Sequence, residues 1–500
     1  MPLLASIPVV GPLVDAALRA LVGKEVASAR GLEPVPVHAV ETSPEKRPRT
    51  LKHLLRGNHV NHALLHGPHN SRHNHMAHAL CTAYLLGATP EQLNRIYDAV
   101  APRLVPWQTS PAEIADVDWR DYLGDPAYQR AYVDFFEDVL AEHSVAYNWR
   151  TVVETYLLGR GRRQRGDDDD DNVMVEGDQV EQIFSSRVRN VKKKTHSDGD
   201  NHDDDDDDDD DDADNHPLLH SLVGGLGHPL IHLAYAYEMD SRVLAMEALG
   251  MSAVTYNPAF AKKYHLDNDD DDDNNNDNAN ALNDAWSAKR VPPSLQGLSL
   301  QQLVDRVAKD PRFASVVPGS TSPEDVLLAS NAPAVDEALL EYWRAWDLSG
   351  GADRDLTPRV REAQDVAVAM LIASVKPGTH SYNFFVCHVL TTSHAVRVLL
   401  PNFPAAMHAA ILRQWWLLAL AVYVSVGRPA VDPDNVPTDR KGKGWAYVEQ
   451  QALSSRWSTD AHFIKTIRSI KEATRTWGDV RDRYLNAVVW FVDDFEGWVH

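Results

Sequence analysis

Eight of the 23 histidines fall within residues 53–78: His53, His59, His62, His66, His69, His73, His75 and His78. Imidazole is the commonest protein ligand for borderline metal ions, and residues three or four apart on a helix share a face. His59, His62 and His66 have that spacing, and so do His75 and His78. A second pair, His228 and His232, lies in Gly227-His228-Pro229-Leu230-Ile231-His232. Pro229 suits a first helical position, which puts His228 at the cap and His232 one turn on. The pair resembles the two-histidine grip of helical zinc sites but lacks the glutamate between, so zinc-protease chemistry is not implied. A third cluster runs through Lys376-Pro377-Gly378-Thr379-His380, Asn383-Phe384-Phe385-Val386-Cys387-His388 and His394. His388 sits among apolar residues on an expected buried helix. Lys376 closes an apolar helix (Met370, Leu371, Ile372, Val375), where partial desolvation would favour the neutral amine. Such an amine can take up carbon dioxide as a carbamate, an anionic oxygen ligand. Three separate helical segments therefore offer a metal site, with His59, His75, His78, His228, His232, Lys376 and His388 as its candidate ligands. His66, His69 and His73, in or beside a Gly-Pro-His-Asn-Ser loop, read as solvated.

Other chemistries lack their motifs. There is no glycine-rich phosphate loop, no dinucleotide fingerprint and no serine-hydrolase elbow. Lys192-Lys193-Lys194 sits in a polar insertion and makes no nucleic-acid-binding pattern. Cys81 and Cys387 are the only cysteines, too few for a disulfide framework, and they read as small core residues of a protein from a reducing, cytoplasmic compartment.

The elements that must position these groups read as helices, and the expected fold class is all-α: one multi-helix domain over residues 1–500. Thr89-Pro90-Glu91, Asp125-Pro126 and Ser322-Pro323-Glu324-Asp325 are helix starts, with a capping side chain and proline just inside. After Pro126, Tyr132, Phe135, Phe136, Val139 and Leu140 recur at helical spacing. Residues 404–426, with Trp415 and Trp416, predict a central helix buried on most sides. Residues 461–498 predict two amphipathic helices, and a further one starts near Pro12. No apolar run is expected to span a bilayer. The net charge of -23 is not a property of the expected folded part. Residues 167–171 contribute five aspartates, residues 203–212 with Asp214 eleven, and residues 267–277 seven, together the whole imbalance. These runs lie in segments at about 160–216 and 267–280 that are too polar to offset their ordering entropy and are expected as mobile insertions.

With the blocks Asn58-His59-Val60-Asn61-His62, His73-Asn74-His75-Met76-Ala77-His78 and Tyr84-Leu85-Leu86-Gly87-Ala88-Thr89-Pro90-Glu91, the chain resembles the fungal questin oxidase-like family. Trp119-Arg120-Asp121-Tyr122-Leu123-Gly124, His228-Pro229-Leu230-Ile231-His232, Glu247-Ala248-Leu249 and Phe384-Phe385-Val386-Cys387-His388 extend the likeness in order along the chain. It departs at Asn383, where the family pattern carries an aspartate. The resemblance implies a helical oxygenase of polyketide biosynthesis that opens the central ring of an anthraquinone, giving a benzophenone-type product. The histidine inventory favours Fe(II) as cofactor and molecular oxygen as co-substrate, with Lys376 carbamate as the anionic ligand. The alternative within the family is a metal-free Baeyer–Villiger-type oxidase using NADPH, against which the missing dinucleotide fingerprint counts. An alternative of another class is a helical scaffold protein with incidental histidines.

Overall fold

Helix boundaries follow local capping chemistry closely. Thr89 and Gln92 form a reciprocal capping box at the start of the helix Pro90–Val100, and Ser322 and Asp325 do the same for the short helix Pro323–Leu327. The Asp125 side chain accepts from the Ala127 amide to open a 3-10 turn, Pro126–Tyr128, that leads into a helix of 14 residues, Gln129–Glu142. A computed structural model describes residues 31–70, 72–142, 148–158, 216–264, 291–328, 332–349 and 355–500. The helix expected near Pro12 and, save for His216, the insertions expected at 160–216 and 267–280 lie outside them.

The fold is all-α. Among the described residues the only sheet is a two-stranded antiparallel hairpin, Leu65–His66 with Arg72–His73. The helices that build the site are α1 (Lys46–Asn61), α2 (Met76–Leu85), α3 (Gln129–Glu142), α4 (Gly224–Met239), α5 (Arg242–Val254), α6 (Thr357–Ile372), α7 (Phe384–Leu399), α8 (Ala405–Ser425), α9 (Ala461–Trp477) and α10 (Arg483–Asp494). The centre is α7, which packs against α4, α6, α8 and α9; α2 lies against α9 and α4, and α5 bridges α4 to α3. The helix expected at 404–426 is α8, which packs against α7 and is buried on most sides as expected. It is buried from Ile411 to Ser425, where the Trp415 indole donates to the Val389 carbonyl of α7.

One expectation, on apolar length, is corrected. Phe384–Asn402 and Ala405–Ser425 are each long and apolar enough to cross a bilayer, and both are mostly buried inside the protein. An apolar surface already covered by other helices is core rather than lipid-facing surface.

Asn383, the departure from the family pattern, is the N-cap of α7. Its Oδ1 accepts from the amides of Phe385 (2.8 Å) and Val386 (3.2 Å), which a neutral amide oxygen does as an aspartate would.

Candidate metal centre

Four imidazoles from four segments meet at one point. His75 caps α2, His228 begins the regular part of α4, His388 lies one turn into α7, and His462 is the second residue of α9. One ring nitrogen of each lies within 4.8 Å of the others. The first turn of α4 explains how His228 arrives there. Gly225, Leu226 and Gly227 all take left-handed backbone angles, with φ of 51°, 61° and 75°. A β-carbon on Gly225 would come within 2.5 Å of the His73 ring, and one on Gly227 within 2.4 Å of Thr392 Cγ2. Only glycine permits both the backbone and the close approach of α4 to α7.

The ring nitrogens are oriented by backbone carbonyls. His388 Nδ1 is 3.0 Å from the Phe384 carbonyl, and His228 Nδ1 makes a short bond to the Gly225 carbonyl. A carbonyl only accepts, so each Nδ1 carries the proton and each Nε2 presents a bare lone pair. Nε2 of His388 and of His462 has no hydrogen-bond partner. Nε2 of His75 and of His228 lie 2.7 Å apart. Burial drives all four rings well below the ordinary histidine pKa, aided by the nearby Lys465 charge, so they are neutral. With His228 Nε2 bare, His75 Nε2 donates to it, through a proton that a bound cation would displace. Four neutral imidazoles converging in this way, two of them fixed by carbonyls behind them, are suited to a borderline divalent cation.

Of the residues expected from sequence, His75, His228 and His388 are brought together here. His78 stands directly behind them: it stacks on His228 at 5.8 Å, meets His75 edge-on at 5.7 Å, and its Nδ1 is 3.5 Å from Lys465 Nζ. His59 and His232 instead clasp the buried carboxylate of Glu247. His59 Nδ1 is 3.0 Å from Oε1 and His232 Nε2 is 2.8 Å from Oε2, while His59 Nε2 reaches Glu137 at 3.0 Å. Burial alone would oppose charge on His59, but hydrogen bonds to Glu137 and Glu247 carry its pKa up to about 10. Burial would likewise raise Glu247, but hydrogen bonds from His232 and His59 hold it down to about 2. Glu247 thus locks α1, α4 and α5 together beside the centre.

Lys376 is exposed on the turn after α6, because the helix expected to bury it ends at Ile372. The desolvated lysine is Lys465. It is 1% exposed, it follows His462 by three residues on the same helix, and burial lowers its pKa to about 8. Also contrary to expectation, His73 is buried. Its ring stacks face to face on His228 at 4.0 Å and 4°, and burial lowers its pKa to about 3. His66 is half-buried. Cys81 and Cys387 are buried free thiols whose pKa burial raises, as small core residues should be.

Sequence reading missed His462, Lys465 and the partnership of Glu247. A signal existed for the first two. Asp460 is an N-cap ahead of the helix, and Lys465 falls inside the apolar set Phe463, Ile464, Ile467 and Ile470, where a cation is out of place.

A cavity of about 310 Å³ lies on the far side of His73 from the centre. His73, Gly225, Leu226, Thr255, Phe260 and Leu418 are among its lining residues, so the His73 ring separates it from His228. Its size is that of a small-molecule site.

Residues 72–470 match the family described as questin oxidase-like. Named relatives are distant but long. The Baeyer-Villiger oxidase GME11358 of Pestalotiopsis microspora is 23% identical over 455 residues, covering 90% of this chain and 84% of the relative. The Baeyer-Villiger oxidase AgnL3 of Paecilomyces divaricatus is 22% identical over 447 residues, covering 84% and 77%. A questin oxidase of Aspergillus terreus is 20% identical over 449 residues, covering 87% and 81%.

Proposed function

The chain belongs to the questin oxidase-like family of oxidoreductases, and from that premise we propose that it is an iron-dependent dioxygenase opening the central ring of an anthraquinone-type substrate. The observation that carries this reading is the convergence of His75, His228, His388 and His462, with His73, stacked on His228, lining a nearby cavity. The scaffold alternative leaves that convergence, and the family, without a role.

A ferrous ion, when bound, supplies the electrons that let ground-state dioxygen react with a closed-shell aromatic. The protein's part follows from its residues. The four Nε2 or Nδ1 lone pairs hold the ion, with orientations set by the Phe384 and Gly225 carbonyls behind His388 and His228. Lys465 takes the role first assigned to Lys376. In its neutral form the Lys465 amine would add to carbon dioxide, its nitrogen pair forming the N–C bond as one C=O π pair moves onto oxygen. The released proton passes to solvent or to a neighbouring imidazole such as His78, 3.5 Å away, and the resulting carbamate would be an anionic oxygen donor. Leu226, Phe260 and Leu418 give a flat aromatic substrate apolar walls and exclude water, with the His73 ring at the inner end.

The test is anaerobic reconstitution with ferrous iron, followed by turnover of a hydroxyanthraquinone under labelled dioxygen. Two labelled oxygen atoms in the ring-opened product, without added NADPH, support this reading. The names of the Baeyer-Villiger relatives favour a second one, in which NADPH supplies electrons and no metal is needed. Turnover by chelator-treated protein that requires NADPH and incorporates one labelled atom would establish that instead.

A further inference from the structure

Two of the four histidines are held in place by a segment remote from them in sequence, residues 495–500. Val499 lies in a parallel bridge with Asn383. The Val499 amide donates to the Tyr382 carbonyl at 2.9 Å, and the Phe384 amide donates to the Val499 carbonyl at 2.8 Å. Phe384 is also the residue whose own carbonyl accepts from His388 Nδ1. Its ring meets His388 at 5.0 Å, His462 at 4.5 Å, Trp498 at 6.4 Å and His500 at 4.8 Å. One residue back, the Trp498 indole donates to Asp460 Oδ2 at 3.0 Å. Asp460 uses its other oxygen to accept from the His462 and Phe463 amides and so caps the helix that carries His462. The Trp498 ring is itself anchored on Phe495 at 4.8 Å and Phe491 at 6.0 Å, at the end of α10.

We propose that residues 495–500 are a positioning strap for the metal centre: Val499 pins the backbone on the N-terminal side of Phe384, the residue whose carbonyl orients His388, and Trp498 fixes the Asp460 cap that orients His462. The strap acts through Phe384 and Asp460, and the Trp498 ring also meets the His462 ring edge-on at 6.3 Å. Outer groups of this kind govern how tightly an ion is held, because a ligand ring free to turn spends part of its time with its lone pair misdirected. The inference rests on the four-histidine centre proposed above.

The experiment uses the full chain loaded anaerobically with cobalt(II), whose visible absorption reports ligand number and symmetry. Removal by excess chelator is followed in the wild type and in Val499→Pro, Val499→Ala and Trp498→Phe. Val499→Pro lacks the amide that bonds Tyr382 and should lose cobalt at least about tenfold faster, with altered absorption. Val499→Ala keeps that amide and should match the wild type, although it loses the same side chain. Trp498→Phe keeps an aromatic ring but no donor to Asp460 and should lose cobalt several-fold faster. Melting temperature is read in parallel, since a merely structural role would lower it without changing the cobalt spectrum. Equal dissociation rates and spectra for Val499→Pro and Val499→Ala would overturn the strap while leaving the centre standing. Failure of the wild type to take up cobalt would overturn the centre itself, and the strap with it.

Discussion

Lys376 and Lys465 show what decides the behaviour of a lysine here. Both lie near histidines in sequence, but Lys376 is exposed on a turn and Lys465 is 1% exposed beside His78. Desolvation is the dominant force on a buried ammonium, and it favours the neutral amine at Lys465, the form that the proposed carbamate requires. Lys465→Met should therefore abolish incorporation of labelled bicarbonate, read by carbon NMR, and lower iron content. Lys376→Met should change neither; the reverse pattern would return the role to Lys376. The Glu247 clasp gives a pH prediction at the same scale. A histidine raised to about 10 contributes stability that is full below its ordinary value of 6.5 and is lost as pH rises through 10. A carboxylate lowered to about 2 contributes stability that is full above 4.5 and is lost as pH falls through 2. The stability gap between wild type and His59→Gln, from denaturant melts, should be widest between about pH 4.5 and 6.5 and narrow towards pH 10. A gap independent of pH would mean that His59 is not charged in the folded protein.

At the scale of elements, helix starts were legible because their chemistry is local. Thr89, Asp125 and Ser322 cap within three residues of themselves, and that can be read from the chain. The site was legible only in part, because its assembly is not local. His75, His228 and His388 stand out as histidines in apolar helical blocks. His462 does not, since it is alone at a helix start and acquires meaning only when α9 packs against α2 and α7. His73 read as solvated because it follows a Gly-Pro loop; in the structure α4 covers it. That covering depends on the left-handed turn at 225–227. Gly225→Ala should cost roughly 1–3 kcal/mol, since alanine is disfavoured at φ 51° and its β-carbon would press into the His73 ring. Thermal melts together with titration of a hydroxyanthraquinone into the metal-free protein would check this. An unchanged melting temperature and unchanged dye affinity would contradict the proposed packing of His73.

Across the whole molecule, a bound ion would join α2, α4, α7 and α9, four helices whose contacts make much of the core. An ion that binds the folded chain alone stabilises it by about 2.7 kcal/mol when its free concentration is 100 times the dissociation constant. Calorimetry with and without a strong chelator should therefore show a lower melting temperature for the stripped protein, and the shift should grow with added iron. The same melting temperature in both would argue against a metal that ties these helices together.

The central claim is that His75, His228, His388 and His462 form one iron site. Its most direct test is iron content after anaerobic reconstitution of the wild type and of His462→Ala, the candidate ligand that the sequence reading missed. The account predicts about one iron per chain in the wild type and a large loss in His462→Ala, with helix content preserved. Full iron occupancy in His462→Ala, or none in the wild type, would contradict it.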